Sequence, residues 1–197
     1  MERSLNITGR LTGLATMISG LLWAVGGSTA LNYNRLGITM TGPHLLLSVG
    51  GLLSLIGLAR LVRHQARDYG RVSQAGAILA SAGVVLIIAS KNLPSDTPEE
   101  TGWNVFYLGG LLLVIGSLLF GTIAVRKSRP VGTPLLAIGV LSLANVVFLM
   151  GPFNVTGYEY VGTVLLPVLI GFSWTVLGYT LWSYEARASN VLHLEGI

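Results

Sequence analysis

The sequence contains no cysteine. Disulfides, thiolate metal sites and cysteine nucleophiles are therefore excluded within it, and the redox compartment leaves no mark. Charge is the second shortage: 10% of the 197 residues are Asp, Glu, Lys or Arg, against about 25% in a soluble domain. With 52% hydrophobic residues and a mean hydropathy of +0.70, too little polar surface remains to cover a globule in water. A bilayer is the solvent this composition suits. Histidine is scarce too. His44, His64 and His193 do not pair at metal-ligand spacing, and no two oppose each other at mid-membrane depth as axial haem ligands would. No Gly-rich phosphate loop, zinc-binding His pair or nucleophile elbow occurs. Neither a cofactor nor an enzymatic activity is expected.

Long apolar runs are what the sequence has in plenty. A helix needs about twenty mostly apolar residues to cross a hydrocarbon core of about 30 Å. Six stretches qualify: 11–31, 45–62, 72–90, 103–125, 131–150 and 161–182. All lack Asp, Glu and Lys, so a carboxylate relay for protons or sodium has no residue to use. Arg60 is the one Arg inside them, and it lies near a span end, from which its head group reaches the interface. A helix satisfies its own backbone hydrogen bonds away from water. The prediction is an all-α, multi-pass, six-transmembrane-helix bundle forming one transmembrane domain over residues 1–197. The first stretch is longer than a signal-peptide core and lacks a small-residue cleavage site, so it counts as a span.

Orientation follows from Lys and Arg in short loops. Arg3, Arg10, Arg60, Arg63, Arg67, Arg71, Arg126, Lys127, Arg129 and Arg187 fall on one side; only Arg35 and Lys91 fall on the other, with Asp96, Glu99, Glu100 and Glu159. The basic side is expected to be cytoplasmic, with both termini there and the cell membrane as location. Aromatic residues mark the interfaces: Trp103, Phe106 and Tyr107 at the outer start of helix four, and Tyr179, Trp182 and Tyr184 at the inner end of helix six. Most prolines lie in or beside connections. Pro134 is expected in the first turn of helix five, and Pro167, inside the last span, is expected to distort it with relief from neighbouring helices.

A hairpin repeat is visible. Gly50-Gly51-Leu52-Leu53-Ser54-Leu55-Ile56-Gly57 in helix two matches Gly109-Gly110-Leu111-Leu112-Leu113-Val114-Ile115-Gly116 in helix four, and Ala82-Gly83-Val84-Val85 echoes Ala144-Asn145-Val146-Val147. The 26 glycines also mark seams, because helices in lipid associate through the close packing that small residues permit. Such faces include Ser19/Gly20 with Gly26/Gly27, Gly76 with Ala80 and Gly83, and Gly171 with Thr175 and Gly178. They serve ordinary packing inside the chain or meet a partner, either another membrane protein or a second copy.

Few residues carry chemistry. Trp23, Asn145, Pro167 and Trp174 lie well inside spans and are candidates to line a cavity for an apolar ligand; core packing is the plainer role for the tryptophans, and an interhelical tie for Asn145. Arg60, Arg63, Arg67 and Arg71 recur at helical spacing with His64 if helix two extends into the cytoplasm, a stripe suited to anionic lipid or simply to fixing topology. Stacking aromatics and a folded basic surface are missing beside them, so nucleic acid is not an expected partner. His44, at the outer mouth of helix two, is a candidate for ligating one pigment or for solvation at the interface. Asp96, Glu99 and Glu100 form a weak oxygen-ligand set that reads more simply as a solvated loop.

The stretches Gly139-Val140-Leu141-Ser142-Leu143 to Gly151-Pro152, and Leu166-Pro167-Val168-Leu169-Ile170-Gly171 closing with Trp182-Ser183-Tyr184, together with six spans and short loops, resemble the HdeD-like family of small membrane proteins. That resemblance implies a six-span fold and a link to acid-stress resistance, and it brings no functional residue. Two functions stay open. One is a non-enzymatic protein acting through helix contacts, as an accessory subunit or a stress-related membrane component. The other is a small transporter or carrier of an apolar solute or lipid.

Overall fold

The computed structural model describes residues 2–32, 36, 41–63, 69–94, 96–150 and 160–195; side chains are described for these except residues 2–8, 31, 150 and 185–195. Six long helices carry the chain: α1 (Glu2–Leu31), α2 (Thr41–Leu61), α3 (Arg71–Lys91), α4 (Glu99–Lys127), α5 (Arg129–Met150) and α6 (Leu166–Glu195), the last preceded by a π turn over Val161–Leu165. There is no strand among the described residues. Each helix holds a segment long and apolar enough to cross a bilayer. Leu14, Ile18, Leu21 and Val25 on α1, with Leu45, Val49, Leu52 and Ile56 on α2, stand exposed on the outside of the bundle. In water such a surface would drive association; against lipid tails it is solvated. The protein is a multi-pass integral membrane protein.

Neighbours in sequence are neighbours in space, and α1 closes the ring by packing on α6. All these neighbours run antiparallel, as contacts at two levels of each pair establish. Gly26 meets Leu46 and Gly57 meets Thr16; Ser48 bonds Asn92 and Gly51 meets Ile88; Gly76 meets Phe120 and Gly83 meets Leu113; Gly121 meets Leu136 and Gly139 meets Leu118; Ser128 bonds Tyr184 and Asn145 bonds Gly162; Gly171 meets Ala24 and Gly178 meets Met17. Alternating spans gather Arg10, Arg60, Arg63, Arg71, Arg126, Lys127 and Arg129 at one end, and Lys91, Asp96, Glu99 and Glu100 at the other. Contacts are densest within two groups of three, α6–α1–α2 and α3–α4–α5; the joints α2–α3 and α5–α6 are thinner.

The small-residue seams hold these groups together. A Cβ at Gly83 would lie 2.5 Å from the Leu113 nitrogen, and one at Gly109 2.8 Å from the Gly83 oxygen. Backbones that close leave no room for any side chain, and the dispersion contacts they gain are what binds helices in a solvent as apolar as their own side chains. Polar ties add to this. Ser19 and Ser54 share a hydrogen bond between α1 and α2, and the Trp23 indole N–H donates to Ser54 Oγ at 3.0 Å.

The two repeat motifs occupy equivalent places. Gly50 and Gly57 face the preceding helix and Gly51 the following one; Gly109 and Gly116 likewise face the preceding helix and Gly110 the following one.

Two expectations need correction. Helix α5 begins at Arg129, so Pro134 lies in its second turn, inside the helix. Arg71 opens α3 beyond a break at Gly70, whose φ of +93° belongs to glycine; the basic stripe therefore does not run to Arg71 along α2. Arg67 and His64, in the middle of that stripe, lie outside the described residues.

Candidate functional site

The half of the ring toward the arginine-rich end is closed. Leu58, Leu61, Phe120, Val131, Leu135, Ile138 and Leu177 are buried to within 1% exposure, and Tyr69 packs on Phe120 with ring centroids 6.3 Å apart. Trp174 is fully buried in this core. Its Nε1 has no hydrogen-bond partner among the described residues. It is not among the walls of the cavity described next.

The other half is open inside. A partly open cavity of about 90 Å³ takes walls from every helix: Trp23 and Ala30 of α1, Leu47 of α2, Ile87 and Lys91 of α3, Trp103, Phe106 and Gly110 of α4, Ser142 and Asn145 of α5, and Pro167 and Ile170 of α6. Trp23, Asn145 and Pro167 thus meet at one cavity, although 122 residues separate the first two in the sequence (145 − 23).

Proline chemistry shapes one wall. Pro167 has no N–H, so a carbonyl one turn earlier loses its donor. The chain widens there into the π turn, in which the Leu166 N–H reaches Val161 O. Two carbonyls in that turn find side-chain donors instead. Asn145 Nδ2 donates to Gly162 O at 3.0 Å, and Asn32 Nδ2 donates to Thr163 O at 3.2 Å. Unsatisfied, each would cost about 1–3 kcal/mol. Asn145 is therefore an interhelical tie that also faces the cavity. Asn32 was missed in the sequence because it lies just past the end of the first span, where an amide looks like ordinary loop.

Lys91 is the one charged side chain on the cavity's described lining. It ends α3, and its ammonium lies 4.4 Å from the Phe106 ring centroid and 5.0 Å from that of Trp103. Cation–π contacts of this kind are worth about 0.5–2 kcal/mol, more as water is excluded. Trp103 also stacks on Tyr107 at 5.8 Å and meets Phe106 edge-on at 5.9 Å. The sequence placed these aromatics as interfacial markers; the signal that they form a cradle was the lone lysine at the end of span three. Lys91 and Trp103 belong equally to a second pocket at the arginine-poor end, where His44, Ser90, Thr97 and Glu99 stand beside Leu93, Pro94 and Pro98. Glu99 is exposed to water and accepts a bond from Trp103 Nε1 at 3.3 Å. Its place in the first turn of α4, beside Glu100, also suits the positive end of the helix dipole. His44 Nε2 is buried with no hydrogen-bond partner among the described residues.

Arg60 is half-buried, and Arg63 and Arg71 are exposed at the opposite end. No cluster of three or more His, Asp or Glu able to hold a metal occurs among the described residues. Comparison with family models, curated proteins and solved structures gives no match.

Proposed function

We propose that this membrane protein binds an apolar or lipid-like molecule inside the bilayer and acts as a small non-enzymatic carrier. The cavity walled by all six helices supports this most directly. It is mostly apolar, with a few polar groups placed to fix orientation, which is the usual make-up of a ligand site. Its position on the arginine-poor side, which the positive-inside rule makes the outer face of a cell membrane with cytoplasmic termini, gives a bound molecule access from the outer leaflet. Anionic lipid at Arg60, Arg63 and Arg71 would anchor the other end.

The competing role, as an accessory subunit acting through helix contacts, rested on the glycine and serine faces. Those faces are largely taken up inside the chain: Gly20 by Gly171 and Thr175, Gly76 by Gly116 and Phe120, Gly139 by Leu118. A stress-related setting, implied by the HdeD-like resemblance, is compatible with lipid binding and adds a physiological context to it.

Mass spectrometry of small molecules that copurify from native membrane tests the proposal. A lipid-like species should be held by the wild type and lost in Gly110→Leu, which fills the cavity at a position where a Cβ meets nothing closer than Val146 at 3.6 Å. An identical small-molecule content in both proteins would contradict it.

A further inference from the structure

Resting on the carrier role just proposed, we infer that the ligand is an amphiphile with an anionic head, a carboxylate or phosphate monoester, received at Lys91 while its apolar part enters the cavity. Two observations converge. The two pockets share Lys91 and Trp103 in their walls, one mostly apolar and walled by all six helices, the other at the arginine-poor end with His44, Ser90, Thr97 and Glu99 among its lining. A molecule reaching from one to the other would keep its apolar part in the first and its polar head in the second.

The charge at their junction is positive. Lys91 makes no ion pair with a carboxylate among the described residues; its contacts there are the faces of Trp103 and Phe106. A lysine at a helix end ordinarily extends over lipid to reach water. Here it is held between aromatic rings on the inside of the ring of helices, so its charge is oriented toward the junction. Rings polarise toward the cation without neutralising it, which leaves the ammonium's three donors for an oxyanion. Glu99 opposes this only weakly, being exposed to water, where charges are strongly screened.

The test uses the full-length protein in phosphatidylcholine nanodiscs, with palmitate, hexadecyl phosphate and hexadecanol as probes of equal chain length. Wild type should bind at least one anionic probe about tenfold more tightly than hexadecanol. Palmitate preference marks a carboxylate head, and hexadecyl phosphate preference a phosphate head. Lys91→Gln should reduce the preferred anion to the level at which the same variant binds the alcohol; Lys91→Arg should keep the preference. Equal binding of all three probes by wild type would overturn the head-group inference while leaving the carrier role standing. Binding of none would remove both. Should Lys91→Gln fail to fold, the wild-type preference and its retention in Lys91→Arg still decide, and a wild-type preference lost in a folded Lys91→Arg counts against it.

Discussion

The two halves of this ring of helices are built from the same residues in different proportions. Toward the arginine-rich end, Leu, Ile, Phe120 and Trp174 fill the axis. Toward the other end, Trp23 and the aromatics of α4 stand around a space they do not fill. Adjacent glycines make the contrast sharp. Gly109 is pressed against α3, with a Cβ there 2.9 Å from the Ile87 nitrogen, while Gly110, one residue on, meets only Val146 at 3.6 Å. Small residues bring helices together where a neighbouring backbone closes on them and leave a void where none does. Composition alone does not separate the two roles.

The largest expected effect comes from breaking a close seam. Gly83→Leu forces α3 away from α4 and should destabilise the protein by about 3 kcal/mol or more, read as loss of monodisperse protein in mild detergent. Gly110→Leu, by contrast, should change thermal stability by no more than about 1 kcal/mol while abolishing ligand uptake; a collapse as severe as that of Gly83→Leu would mean that the open half is packed like the closed one.

Next in size is the π turn. Asn145→Ala should cost about 1–2 kcal/mol in unfolding by denaturing detergent, from the orphaned Gly162 carbonyl. The cost should shrink when Pro167→Ala restores an N–H, giving a measurable coupling in a double-mutant cycle. Strict additivity would show that the amide is not compensating for the proline.

Ser54→Ala removes the acceptor of Trp23 and the partner of Ser19, and should cost about 0.6–2 kcal/mol. Trp23 then loses its fixed orientation, and ligand affinity should fall with stability. Arg63→Gln is expected to be the smallest perturbation, within about 0.5 kcal/mol, with its effect confined to retention on anionic vesicles.

Much of this was legible in the sequence because membrane crossing depends on few variables. Length, apolarity and the side that receives arginine were enough to read six spans, since lipid penalises every other arrangement of a polar backbone. Asn145 and Pro167 stood out for the same reason: an amide and an imino acid within a span demand an explanation. Which tryptophan faces the cavity was not legible. Both lie well inside their spans, but Gly20 packs on Gly171 and Thr175, which sets Trp23 nearer the arginine-poor end, on the cavity wall, and Trp174 nearer the packed half. Lys91 fell just beyond its span and was counted as a loop charge, because sequence distance hides the aromatic face that α4 lays over it.

A cysteine-free chain permits one decisive measurement. Ser142 lines the cavity and Ser117 lies in close packing on α4, 6% and 1% exposed respectively. Single-cysteine variants at these positions should differ sharply toward a small, membrane-impermeant thiol reagent added from the arginine-poor side. Ser142→Cys should be modified, and protected by a bound amphiphile, while Ser117→Cys should stay unmodified until the protein is denatured. Equal modification of the two, or none at Ser142→Cys, would contradict a ring of helices open in one half and closed in the other.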